Sequence, residues 1–364
     1  MKRLLYFIAA LCLVACEPNT PNNPEEQDPD TINKSQFVGI WAVSSNNDDE
    51  EAVSIRWYIQ FNEDGTWEIL STNVSDVKYY VCENGTYSIK DSTITLVYKN
   101  LRGYFYKNNI PRIACSYATK DLYPGSSDDP TQSYDIVEIS KDKISTTVFD
   151  TPYYFYYMSE KPTIWDARFF ESEKEVTEEA LIAQWDHVNY FTQTAERYSW
   201  WYYDNPEEQG IQLLADGKVG PFNFWSSLLW NKLVTEGIIS SEQGISMSQN
   251  DCSWSLRDKT VSLTCAKYRI YNYVDGNWEP GEEVVPESPI SADLTVHSFR
   301  ESFLILHCDW NDTYYVFTPG SASAKSAEKH VRYVPAKATK IAKEPGHMLL
   351  KDINISSFTG RKVK

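Results

Sequence analysis

The chain has 364 residues, a formal charge of −17, and 25 Tyr, 12 Trp and 15 Phe. The charge is uneven. Residues 17–33 carry five acids and no base, whereas 325–364 carry ten bases and three acids. With those ends and the two leader bases set aside, residues 34–324 hold −21. So acidic a body excludes general nucleic-acid binding, which depends on Lys and Arg neutralising phosphate. The aromatic content favours strands, and a body of this length suits two hydrophobic cores better than one.

In chain order, Lys2 and Arg3 precede an apolar run from Leu4 to Val14. That run is shorter than the roughly 20 residues a spanning helix needs, but it suits the core of a signal peptide. It ends in Leu13-Val14-Ala15-Cys16, which resembles the lipobox of lipoprotein precursors. The resemblance implies a signal peptide over 1–15, cleavage before Cys16, and acylation of Cys16 as a membrane anchor. Residues 16–34 are rich in Pro, Asn, Asp and Glu and read as a disordered tether. Their acidity beside the cysteine resembles the export signals of Bacteroidetes surface lipoproteins, which implies an outer-membrane, surface-exposed location.

The body reads as an internal duplication. Phe37-Val38-Gly39-Ile40-Trp41 opens one copy and Leu181-Ile182-Ala183-Gln184-Trp185 the other, each after a short polar helix start. Ile55, Trp57, Ile59 and Phe61 alternate with Arg56, Tyr58 and Gln60, the period of a strand. Asp64-Gly65 and Asp216-Gly217 supply turns. The segments Thr86 to Leu96 and Ser253 to Leu263 match as hairpins turning at Asp91 and Asp258. Pairing across those turns places Tyr87, Ile89, Ile94 and Leu96 on one face, and Trp254, Leu256, Val261 and Leu263 on the other copy's equivalent. A third matched hairpin runs from Asp135 to Ile139 and through Ile144 to Val148 in one copy, against Leu294 to His307 in the other, and each copy ends in an aromatic strand.

Strands buried on one face and joined in sequence favour up-and-down barrels. The opening Gly39-Ile40-Trp41 after a helical turn resembles the lipocalins. Together with the Asp-Gly turn and Gly85-Thr86-Tyr87-Ser88-Ile89, it is similar to the lipocalin-like lipoproteins of the Bacteroidetes. The resemblance implies an all-β chain with two tandem antiparallel up-and-down barrels, over 35–162 and 176–320. A basic, mobile tail follows at 321–364.

Chemical motifs are sparse. The sequence contains no Gly-x-Ser-x-Gly, His-Glu-x-x-His, Walker loop or dinucleotide fingerprint, so no enzyme, cofactor or metal is assigned. Asn47 to Glu51 lacks the spacing of a calcium loop and reads as a solvated acidic loop. His307, placed on one face with Phe303 and Ile305, is either a ligand hydrogen-bonder inside the second barrel or a satisfied rim residue. Cys252 and Cys265 fall opposite each other in the hairpin register, as a disulfide or as two buried thiols. Trp225 and Trp230 lie in an insertion with no counterpart in the first copy, and are ligand or partner contacts if exposed. Large inward residues (Trp57, Tyr87, Trp254) favour filled interiors. The expected role is a membrane-anchored binding or accessory lipoprotein holding a small apolar or glycan ligand, or touching an envelope protein. The alternative is a structural lipoprotein whose barrels are filled.

Overall fold

A computed structural model describes residues 32–44, 57–72, 79–107, 110–122, 128–193, 197–203, 210–220, 223–320, 330–333 and 346–349. The leader, Cys16, most of the tether and the Asn47 to Glu51 run lie outside the described residues.

The first sheet closes. Its strands are β1 (Gly39–Ser44), β2 (Trp57–Phe61), β3 (Thr66–Thr72), β4 (Tyr79–Lys90), β5 (Thr93–Lys107), β6 (Ile110–Ala118), β7 (Thr131–Ile139), β8 (Lys143–Val148) and β9 (Thr151–Met158). Each pairs antiparallel with its neighbour, β9 returns to β1, and β4 meets β5, which gives an eight-stranded barrel. β6 stands outside the ring. The first half of β5 pairs with β7 and the second half leaves the ring to pair with β6. The hairpin register follows the sequence pattern, with Tyr87 opposite Leu96 and Ile89 opposite Ile94. Asp91 turns it at φ 53°. Two glycines are dictated by close approach: a Cβ on Gly85 would lie 1.8 Å from the Val97 carbonyl oxygen, and Gly39, at φ 137°, would strike the Tyr157 ring. That ring packs edge-on against Trp41.

The second sheet is also antiparallel. It contains β10 (Gln184–Gln193), β11 (Arg197–Tyr202), β12 (Ile211–Gln212), β14 (Cys252–Arg257), β15 (Thr260–Cys265), β18 (Ile290–Phe299), β19 (Leu304–Cys308) and β20 (Thr313–Pro319). Their order is β14-β15-β18-β19-β20-β10-β11, with β12 on β10. Unlike the first, it is not closed by a continuous ladder among the described residues. Between β12 and β14 there are only the isolated bridges Leu213 to Val219 and Lys218 to Ser253. A helix, Asn223–Thr235, supplies the missing cover. Phe224, Trp225, Leu228, Leu229 and Leu233 recur at helical spacing and are all buried in the second core. A third sheet runs β17 (Asn277–Val284), β16 (Tyr268–Val274), β13 (Gly244–Ser248), β21 (His330–Tyr333).

Both opening tryptophans are held alike. Trp41 Nε1 donates to the Phe37 carbonyl at 2.6 Å, and Trp185 Nε1 to the Leu181 carbonyl at 2.9 Å. A short helical turn precedes each, Lys34–Gln36 capped by Asn33 and Glu178–Leu181 capped by Thr177.

Two segments outside the expected barrels take part in the described fold. The basic segment after residue 320 was expected to lie outside both barrels, yet it contributes β21 on the edge of β13 and β22 (Gly346–Leu349) on the edge of β11. Unpaired strand edges offer backbone partners that this segment can take. The stretch 163–175, between the two expected barrels, is packed: Trp165 and Phe169 are buried in a cluster shared by the two sheets. That cluster joins Tyr104, Ile113 and Cys115 of the first sheet to Phe191, Ile305 and Val316 of the second.

Candidate functional site

The barrel interior is occupied by its own side chains. Trp41, Phe61, Trp67, Ile69, Tyr98 and Tyr134 point inward and are buried, so the volume a ligand would need is filled by aromatic rings. Open volume lies elsewhere, in a cleft of about 390 Å³ where β5 and β6 face β10 and β20.

The cleft exists because β6 and the outer face of β5 meet the outer face of the second sheet. In β10 a bulge between His187 and Asn189 switches the strand's alternation. His187 then faces the second core while Val188 and Asn189 face the first sheet. The apolar walls include Tyr104, Ile113, Val188, Phe303 and Val316. The polar side chains are Arg112, Arg168, Asp186, Asn189, Ser302 and Thr318.

Their states differ. Arg168 is neutralised by Asp166 through a fork, Nε to Oδ1 at 2.9 Å and Nη2 to Oδ2 at 2.6 Å. Asp186 Oδ1 accepts from Gln184 Nε2 at 3.3 Å, and Ser302 is tied to Glu171. Asn189 Nδ2 donates to the Ile113 carbonyl at 2.8 Å, and its Oδ1 is buried without a donor. Arg112 is 9% exposed, and its Nε has no acceptor. Burial and the nearby Arg168 push its guanidinium below the usual arginine value.

The residues singled out in the sequence lie away from this cleft. Trp225, on the helix, is fully buried in the second core, and Trp230 is half-buried with Nε1 donating to the Gln243 carbonyl at 2.6 Å. The insertion is therefore a core element and not an open surface. His307 does not face the second core. Leu304, Leu306 and Cys308 do, so His307 falls on the outer face with Phe303 and Ile305. It sits between Asp309 at 2.9 Å and Asp312 at 3.0 Å and stacks on Tyr314. The strand is displaced by one residue from its supposed equivalent, and in a strand that inverts every side chain. Cys252 and Cys265 are directly opposed, as the register requires, and stand as free thiols. Their mutual hydrogen bond and burial push the Cys252 thiol up. Among the described residues no group of His, Cys, Asp and Glu is arranged to hold a metal ion.

Arg112 was missed because alternation in β6 assigns it to solvent, and Asn189 because the β10 bulge moves it off the face it would share with Trp185 and His187. They are buried by the other sheet, a long-range contact that no local pattern encodes.

No protein-family model matches the chain, and no curated protein matches it. Among solved structures, a lipocalin-like protein from Bacteroides uniformis is similar over 34% of this chain and 99% of its own, at 14% identity and TM-score 0.22. A DNA polymerase III β-subunit sliding clamp from Bartonella birtlesii covers 72% of this chain and 92% of its own, at 10% identity and TM-score 0.15. A sliding clamp from Pseudomonas aeruginosa covers 71% and 89%, at 10% identity and TM-score 0.13. At these scores the fold assignment rests on the strand order itself.

Proposed function

We propose that this chain is a non-catalytic envelope lipoprotein, anchored through acylated Cys16, that binds a small ligand between its sheets and not inside its closed barrel. In this reading 35–162 and 176–320 are two lipocalin-like units, and the ligand site is built where they meet. The observation that carries it is the contrast between a barrel filled by Trp41, Trp67 and Tyr134 and an inter-sheet cleft of about 390 Å³. Small-molecule sites have about 300–1,000 Å³, mostly apolar walls and a few convergent polar groups. The cleft has all three properties.

Two measurements test it. Cys16→Ser should abolish incorporation of a fatty-acid probe in cells; continued labelling removes the lipoprotein reading. Nile red, a neutral fluorophore, should bind the purified full-length chain. Ile110→Trp, at an exposed position on the cleft wall, should weaken that binding about tenfold, or ~1.4 kcal/mol, because the larger indole takes up volume the probe would occupy. Binding unaffected by Ile110→Trp places the probe elsewhere. Absence of binding favours the structural reading, in which both units serve as filled scaffolds.

A further inference from the structure

We propose, resting on the envelope location above and not on the cleft, that Cys252 and Cys265 are a modification site. They form a dithiol that closes to a disulfide as the exported chain folds, and the bond fastens the end strand of the second sheet.

The register brings the two thiols together. Cys252 of β14 stands directly opposite Cys265 of β15. One step beyond them the Ala266 amide donates to the Asp251 carbonyl at 2.8 Å, so that position is hydrogen-bonded. Hydrogen-bonded and non-hydrogen-bonded pairs alternate along an antiparallel ladder, which makes Cys252 and Cys265 a non-hydrogen-bonded pair. Cα atoms of such a pair lie about 4.5 Å apart, within the roughly 4.4–6.8 Å that a disulfide spans. Both residues are buried in the second core, and their thiols hydrogen-bond each other. The other described cysteines have no such partner: Cys82 stands opposite Arg102, Cys115 opposite Gly103 and Cys308 opposite Thr313.

The place of the pair gives the bond something to hold. β14 ends the strand order of the second sheet, and among the described residues its other side has only the isolated bridge from Lys218 to Ser253. The turn at Asp258 ties the hairpin at one end, and the cysteines sit at the other. A bond there closes the ladder at both ends. Disulfides form and persist in oxidising compartments. The oxidant is a disulfide-bearing donor: one cysteine thiolate attacks the donor's S–S bond, forming a mixed disulfide and releasing one donor thiolate. The second cysteine thiolate then attacks the first cysteine's sulfur, expels the other donor thiolate and completes the bond. The chain gives up two protons and two electrons, and the donor leaves as two thiols. Cys252 is 6% and Cys265 0% exposed, so exchange takes place while the hairpin forms, before Trp225 of the helix packs on Cys252.

The test uses the purified full-length chain, reduced, unfolded in urea and refolded in a glutathione buffer holding both the thiol and the disulfide forms. Free thiols are then alkylated in denaturant and the chain is cut with trypsin, which cleaves after Arg257 and Lys259 and so separates the two cysteines. The peptides carrying Cys252 and Cys265 should be recovered joined, two hydrogens lighter than their sum, with Cys82, Cys115 and Cys308 alkylated. The oxidised chain should melt about 5 °C above the same chain in reductant. The double variant Cys252→Ala, Cys265→Ala should remove that difference, and the comparison of oxidised with reduced parent decides the matter where the variant does not fold. Alkylation of both cysteines after refolding, a bond from either to another cysteine or to a second chain, or equal melting of oxidised and reduced parent overturns the proposal. Mapping the chain isolated from its own cells, with thiols blocked at lysis, separates pairing from location. Free thiols there, with the bond formed in glutathione, overturn the envelope location and closure in the cell, and leave the hairpin pairing standing.

Discussion

Glu173 Oε1 accepts from Arg300 Nη2 at 2.8 Å and from Arg300 Nε at 3.0 Å, joining the segment between the two sheets to the residue that follows β18. The same carboxylate accepts from Ser298 Oγ, the Phe299 amide and Arg102 Nη2, so one side chain ties β5, the connecting segment and the second sheet together. Glu173→Gln keeps the shape and leaves two buried guanidinium groups without a countercharge. Breaking a buried pair costs about 3–5 kcal/mol, and the half-exposed carboxylate places this case near the lower end. Urea unfolding should show a loss of about 3 kcal/mol. A change below about 0.5 kcal/mol, the range of ordinary surface substitutions, would show that solvent screens the cluster.

His187 makes the opposite case. Its ring lies among Tyr203, Phe224, Tyr315 and Phe317, and its Nε2 is buried without a partner. Burial pushes its pKa down to about 3. Between about 6.5 and 3 the unfolded chain binds a proton the folded chain refuses, so His187 lowers stability as pH falls through that window. His187→Phe should leave stability at pH 8 unchanged or raised, and should raise it at pH 4.5. Equal effects at the two pH values would mean that the imidazole is protonated in place.

Much of the architecture was legible in local pattern. Alternation around Asp91 and Asp258 gave the two hairpins in their true register, including Cys252 opposite Cys265. The Gly39-Ile40-Trp41 opening marked the start of a closed barrel, because Gly39 and Trp41 make the tight contact with Tyr157 that joins β1 to β9. The site was not legible. Arg112 differs from a solvent-facing strand arginine only through the sheet packed over it, and Asn189 reaches the cleft only because of a bulge. Trp225 misled for the converse reason: an insertion with no counterpart seemed to have nothing to bury it, whereas it covers the gap that the second sheet leaves open.

Glu83 provides a second pH-dependent prediction, with the reverse sign. It lies on β4, 4% exposed, and burial raises its carboxyl to about 8. The folded chain therefore retains a proton that the unfolded chain releases above about 4.5, and stability falls as pH rises from there through about 8. The slope approaches ~1.4 kcal/mol per pH unit within that window. Glu83→Gln fixes the neutral state. Its advantage over the parent chain should be near zero at pH 4 and grow steadily to pH 8.5. Glu68, raised to about 7 chiefly by burial, should add a smaller effect of the same sign. Parallel stability curves for parent and Glu83→Gln would show that Glu83 ionises freely.

The basic C-terminal segment gives the last prediction, because charge and backbone pairing make different demands on it. With ten bases and three acids after residue 324, it could be held by the acidic body through charge alone. The structure gives it a second means of attachment. Met247 pairs with Val331 and Ile245 with Tyr333 along the edge of β13, and Tyr198 pairs with Met348 along β11. Deleting 325–364 uncovers both edges, so the melting temperature should fall, by about 2–4 °C for each kcal/mol lost in a chain of this size. Deleting only 346–364 should uncover β11 alone and cost less. Salt separates the two causes. At 1 M salt the Debye length shrinks to about 3 Å, so an attraction between exposed charges would vanish. Backbone ladders would persist, and the deletion should remain destabilising there. A deletion that lowers the melting temperature at low salt and has no effect at 1 M salt would assign the attachment to charge and remove β21 and β22 from the stable fold.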